Sequence, residues 1–172
     1  MSRASSKLLT GASGAAGGSV YVDDVFNTLI DYSGGFGPHT ATTGLDMSGE
    51  GGMVWTKPRN GNLNHYLYDT VRGAQKALSP DQNAAEGTIT YGLTGFTSTG
   101  FTFSLSHAPD PNSNVWWSFR KAKGFFDIVT YTGDGTTSRT INHNLGSVPG
   151  MIMIKKNRQP IELVCLSQGK SR

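Results

Sequence analysis

Four histidines, one cysteine and twelve carboxylates are the side chains of this 172-residue chain best suited to chemistry. His39, His65, His107 and His143 are scattered, with neither His-x-His nor His-Glu-x-x-His spacing, so they do not form a metalloprotease helix. A structural zinc site needs several thiolates or a histidine cluster, and Cys165 stands alone. The run Gly44-Leu-Asp-Met-Ser-Gly-Glu-Gly-Gly52 lacks the Gly-Lys-Ser/Thr ending of a phosphate loop. It reads as a turn instead. Asp23-Asp24 and Asp110-Pro-Asn112-Ser-Asn114 are rich in the oxygens that hard cations take. Neither has the ligand spacing of a calcium loop; Asx turns account for the second, and the first solvates the entry to a strand. Asp69 and Arg72 are spaced to lock a strand end. The expectation is a non-enzyme with no cofactor and no metal.

Aromatic side chains offer a different chemistry, because their faces suit sugar C–H groups as well as cores. Tyr66 and Tyr68 share one face of an extended segment, and Trp116-Trp117 sit side by side. Neighbours on a strand point to opposite faces, so one Trp is expected in the core and the other outside it. Tyr66, Tyr68, Asp110, Asn112 and Asn114 are the candidate ligand contacts.

The elements that position these groups are strands. The chain holds 23 glycines and 10% aromatics against only 16% charged residues, a composition for short strands and tight turns rather than long helices. Strands are expected at Phe26–Asp31, Gly52–Lys57, Asn64–Asp69, Val115–Lys121, Phe125–Tyr131, Ser138–Asn142, Gly150–Lys155 and Ile161–Leu166. A hairpin is expected over Gly95–Phe103, turning at Ser98–Gly100. Val71–Glu86 is the one stretch that reads as a helical turn, kept short by Gly73 and Pro80. The predicted class is all-β, a β-sandwich of jelly-roll or lectin-like type, with an extended N-terminal arm and a second, incomplete β unit.

The incomplete unit follows from an internal repeat. Phe26-Asn-Thr-Leu-Ile-Asp-Tyr32 and Gly52-Met-Val-Trp-Thr-Lys57 recur as Phe125-Phe-Asp-Ile-Val-Thr-Tyr131 and Gly150-Met-Ile-Met-Ile-Lys155. The glycines are 98 residues apart and the tyrosines 99, so a one-residue gap aligns the copies. Three regions are expected: an arm over residues 1–24, a sandwich over 25–124, and an unfinished unit with a basic tail over 125–172. A β unit of that last size needs partner strands. Residues 1–19 are mostly Ala, Gly and Ser and cannot bury enough surface to fold alone. As an attachment peptide the arm would anchor through Leu8, Leu9, Val20, Tyr21 and Val22.

The formal net charge is +3. Residues 155–172 carry Lys155, Lys156, Arg158, Lys170 and Arg172 against Glu162 alone, so the basic excess lies in that tail and the body has none. A solvated tail is expected rather than a nucleic-acid surface. A single cysteine forms no intrachain disulfide. Neither a signal peptide nor a membrane-inserting run is read from the sequence.

Tyr21-Val-Asp-Asp-Val-Phe26, Gly49-Glu-Gly-Gly-Met-Val-Trp-Thr-Lys57, Asp69-Thr-Val-Arg-Gly73, Ser118-Phe-Arg-Lys-Ala122, Gly124-Phe-Phe-Asp-Ile-Val-Thr-Tyr131 and His143-Asn-Leu-Gly-Ser-Val-Pro-Gly-Met-Ile152 together resemble tail-fibre-like virion proteins of tailed bacteriophages, notably those of marine bacteria. The resemblance spans about residues 1–155. It implies a virion structural protein that docks on other phage tail proteins by its N-terminal end and presents β modules to the host, with no catalytic residues. By analogy with fibres it would be a homotrimer. The alternative is a lectin-like module binding a host-surface glycan. After Lys155 the family-like pattern is expected to stop, marking a short or truncated member.

Overall fold

The computed structural model describes residues 20–30, 37–59, 62–104 and 114–155. Within them lie a 3-10 turn, η1 (Val22–Asp24), and nine strands: β1 (Phe26–Ile30), β2 (Pro38–Thr42), β3 (Gly52–Pro58), β4 (Tyr66–Asp69), β5 (Gly73–Leu78), β6 (Gly87–Thr88), β7 (Gly92–Thr97), β8 (Gly100–Ser104) and β9 (Asn114–Arg120). They form two antiparallel sheets, a six-stranded one ordered β1-β9-β3-β4-β5-β6 and a three-stranded one ordered β2-β8-β7. The chain is an all-β sandwich, as its glycine-rich, alternating sequence predicts.

β3 sits at the centre of the large sheet, between β9 and β4. Strand alternation sends its residues to two different cores. Val54 joins Tyr68, Trp116, Leu93, Phe101 and Phe103 between the sheets. The Trp116 ring lies 4.9 Å from that of Phe103 and 5.3 Å from that of Phe101. Met53 points the other way, with Leu67 and Leu78, into a second cluster completed by Val25, Phe125, Phe126 and Ile128. The start of the second repeat copy is therefore the outer cover of the first copy's sheet. Burying one such Phe or Ile contributes about 1.5–3 kcal/mol.

Several expected elements take other forms. Val71–Glu86 holds no helix: its Gly73–Leu78 part is β5. The Asp69 carboxylate accepts the N–H groups of Val71 (3.0 Å) and Arg72 (2.9 Å), which turns the chain sharply. Gly73 (φ 101°) and Gln75 (φ 67°) then take left-handed conformations that a right-handed helix cannot contain. β2 was not expected, because Pro-His-Thr-Ala-Thr has no apolar run; it is an edge strand with only Ala41 buried. The β7–β8 hairpin turns through Ser98-Thr99, where it was expected. Phe125–Tyr131, Ser138–Asn142 and Gly150–Lys155 are not strands. One antiparallel bridge, Ala122 to Phe126, starts this segment, which then continues as turns and extended chain with single bridge positions at Pro149 and Met153. Its apolar residues are spent on covering the first copy and do not build a ladder of their own. The expected Ile161–Leu166 strand lies outside the described residues.

The arm boundary also moves. Val20 packs against the second core, and the Tyr21 N–H donates to Asp24 Oδ2 at 2.9 Å. Arg120 closes the loop, its Nε donating to the Asp24 carbonyl and its backbone N–H to the Val25 carbonyl, each at 2.8 Å. Residues 20–24 thus belong to the folded module.

Candidate binding surfaces

The charged groups that the sequence singles out are tied into the fold. Arg72 donates Nε to Asp69 Oδ2 at 2.6 Å, and its terminal nitrogens reach Glu86 (3.1 Å), the Leu67 carbonyl (3.1 Å) and the Lys76 carbonyl (3.2 Å). With both side chains almost fully buried, the pair locks the β4–β5 turn, as expected. Asp46 accepts the Gly49 N–H at 2.8 Å, so the Gly44–Gly52 run is turn chemistry, again as expected.

Asp127 is a buried carboxylate of the second copy. It accepts the Asn144 N–H at 2.7 Å and faces the Lys121 ammonium at 3.0 Å. Burial would raise its pKa, but the Asn144 N–H and Lys121 together hold it below the ordinary carboxylate value. Among the described residues, no three His, Cys, Asp or Glu side chains come together as a metal site.

Of the candidate ligand contacts, Tyr66, Tyr68 and Asn114 fall among the described residues, with the Tyr66 and Tyr68 rings 6.3 Å apart. Tyr68 is 1% exposed and fills the inter-sheet core. Burial pushes its hydroxyl pKa far up, and a backbone hydrogen bond from Leu93 holds the ring in place. It is corrected from ligand contact to core residue. Tyr66 lies on the same face, as its spacing predicts, but is only half-buried. Its pKa is raised by burial and then by Tyr91 and Asp81. Asn114 is the buried first residue of β9, opposite Pro58, and is likewise corrected to a structural residue. Asp110 and Asn112 lie outside the described residues. Of the attachment residues, Val20, Tyr21 and Val22 are half-buried in or beside η1 rather than part of a free arm. Leu8 and Leu9 lie outside the described residues.

Two surfaces emerge instead. The first is aromatic. Trp116 is core while Trp117 faces the opposite side. There Trp117 pairs directly across the ladder with Trp55, their rings edge-to-face at 5.8 Å. The Trp55 Nε1–H donates to His65 Nδ1 at 2.9 Å, which pins the indole and places the neutral imidazole's proton on Nε2. All three side chains are half-buried. The shared parity of positions 55 and 117 on neighbouring strands was the readable signal; the His65 contact, ten residues away, had none.

The second surface is aliphatic. Val148 is 81%, Met151 53%, Ile152 55% and Ile154 62% exposed. Their first-copy counterparts Met53 and Val54 are 0% exposed, and Thr56, the counterpart of Ile154, is 5%. The stretch that matches the doubly covered β3 thus carries exposed aliphatic side chains in the second copy, while Met153 between them is half-buried and stands in a β-bridge.

Comparison with known proteins agrees with a duplicated chain. One family model, described as a domain of unknown function (DUF7483), matches residues 22–124 and again residues 112–169. The second match runs beyond Lys155, to residue 169. No curated protein and no solved structure matches. With its two matches spanning most of its length, the chain belongs to the DUF7483 domain family.

Proposed function

We propose that this chain is a structural module of a bacteriophage tail fibre or fibre base, docking on the tail through its N-terminal segment and presenting β modules toward the host. The carrying observation is the joint between the copies. Phe125, Phe126 and Ile128, which open the second copy, complete the outer core of the first against Met53, Leu67 and Leu78. Such a joint fixes one module on the next, and a shaft assembled from repeats needs that stiffness. Trimeric assembly would multiply weak contacts into avidity. The reading is tested by infecting cells whose phage carries an epitope-tagged chain. Tagged chain in purified particles, at the tail in immunogold images, is expected, and its loss on deleting residues 1–19 would assign attachment to the N-terminal segment. Particles that lack the chain would sink the proposal.

A second reading is favoured by the Trp55–Trp117 pair, held by His65. Half-buried aromatic rings fixed on a rigid sheet suit a host-surface glycan. Binding of residues 20–172 to a glycan array, abolished by Trp117→Ala, would carry it. Absence of any glycan signal would remove it.

A further inference from the structure

The outward side of β1, β9 and β3 is a grid whose rows are set by the register. Phe26, Phe119 and Met53 share the first row, Thr28, Trp117 and Trp55 the second, and Ile30, Val115 and Lys57 the third. The opening of the second copy covers the first row: Met53 is buried with Phe125, Phe126 and Ile128, and Phe26 and Phe119 pack on that cluster. Beyond it the cover thins. Trp117, Trp55, Val115 and Lys57 are half-buried, Thr28 is exposed, and Ile30 is 57% exposed. The Trp55 N–H is already given to His65, so this indole offers ring surface rather than a hydrogen bond. Lys57 is the one charged residue of the grid, and no carboxylate stands in it. Its Nζ donates to the adjoining Pro58 carbonyl at 2.6 Å. At the rim, Asp81 accepts the His65 backbone N–H at 3.2 Å, while the Lys155 ammonium donates to the Gln82 carbonyl of the same loop at 2.5 Å, so those two charges offset each other.

We propose that this corner, Trp55 and Trp117 with Lys57, takes an acidic glycan, a chain of uronate sugars. The proposal rests on the glycan reading above and names its ligand class. A pyranose ring has an apolar C–H face that lies on an indole, and a uronate carries its carboxylate at the ring's edge. Trp55 and Lys57 are same-side neighbours on β3, about 7 Å apart along the strand. A sugar residue on the indole therefore sets its acid group within reach of the lysine's flexible four-carbon stem. An ammonium beside aromatic faces, with no carboxylate in the grid to neutralise it, favours a ligand that brings its own negative charge. A quaternary ammonium, another ligand of aromatic pairs, would be repelled by Lys57, and a neutral sugar would gain nothing from it.

Hexamers of galacturonate, mannuronate and guluronate, each beside its methyl ester, test this, because the ester keeps the sugar and removes the charge. In calorimetric titration of the full chain, the acid form of at least one hexamer is expected to bind about tenfold more tightly than its ester, the worth of one charge-assisted hydrogen bond at a partly exposed site. Lys57→Met keeps most of the stem and should abolish that difference. Rising salt should weaken the acid form alone, and Trp117→Ala should weaken acid and ester alike. Equal binding of acid and ester, or an acid preference that survives Lys57→Met, overturns the proposal and leaves the glycan reading standing. Binding of neither form overturns the proposal too, and the glycan array then decides whether the broader reading survives. If near-ultraviolet circular dichroism shows Lys57→Met to be misfolded, the salt titration of the unmodified chain decides: an acid–ester difference unchanged at high salt refutes the role of the ammonium.

Discussion

Arg72 and Asp69 meet at 2.6 Å with side chains 3% and 0% exposed, three residues apart in the chain. The pair spans the turn that reverses β4 into β5. Asp69 holds the turn's N–H groups while Arg72 ties the carbonyls of Leu67 and Lys76 and the carboxylate of Glu86. One guanidinium therefore joins two strands and a loop.

Arg72→Met leaves the Asp69 carboxylate buried without its cation. The expected loss is about 3–5 kcal/mol, read as a lower urea midpoint with the m-value unchanged. Arg72→Lys should recover only part of it, because an ammonium cannot reproduce the planar fork. A loss no larger than that of an exposed lysine substitution would contradict the network.

The joint between copies has its own test. Phe126 packs on the Phe119 ring at 5.5 Å and lies in the core that covers Met53 and Leu67. Phe126→Ala is expected to destabilise the first sandwich by about 3–5 kcal/mol. Thermal unfolding followed by near-ultraviolet circular dichroism would report it. Unfolding of residues 22–124 that is indifferent to this change would show the second copy to be a passenger.

Asp127 predicts an acid limb. Its pKa is lowered in the folded chain, so its contribution to stability is complete above the ordinary carboxylate pKa and is lost as pH falls through the folded value. That places the loss from about pH 4 downward. Stability measured against pH should flatten over that window in Asp127→Asn. An unchanged slope would assign the acid sensitivity to other carboxylates.

Gly52 opens the repeated Gly-Met motif, and a methyl group there would run into the Phe119 carbonyl and come within 2.7 Å of the Met47 Cε. The backbone of β9 cannot give way without breaking the ladder. Gly52→Ala is expected to cost about 1–3 kcal/mol, measured by denaturant titration.

The strands that pair inside the first copy were legible, because β3, β4 and β9 carry alternating or continuous apolar residues between glycine-rich turns. So was the split of Trp116 from Trp117, since period two decides it. β5 was misread as helical because Ala74, Lys76, Ala77 and Leu78 have helical propensity; the positive φ at Gln75 and the Asp69 turn override it. Phe125–Tyr131 has strand composition yet is not a strand. Its apolar side chains answer a surface formed by Met53, Leu67 and Leu78, distant in sequence and invisible to any local pattern. The same long-range logic moved Tyr68 from a candidate ligand contact to the core.

The pairing of the first strand with the last has a mechanical consequence. β1 and β9 are antiparallel neighbours, with Phe26 opposite Phe119 and Ile30 opposite Val115. Tension on a chain entering at Val25 and leaving at Arg120 therefore acts on the same end of that ladder. It would peel the two strands apart rung by rung instead of shearing all the rungs at once. The Arg120 bonds to the Asp24 and Val25 carbonyls stand at the point where peeling must begin. Because Phe125, Phe126 and Ile128 cover the sheet just beyond Arg120, a pull from the C-terminal side meets that packing first and reaches the Arg120 bonds only once it has been stripped away.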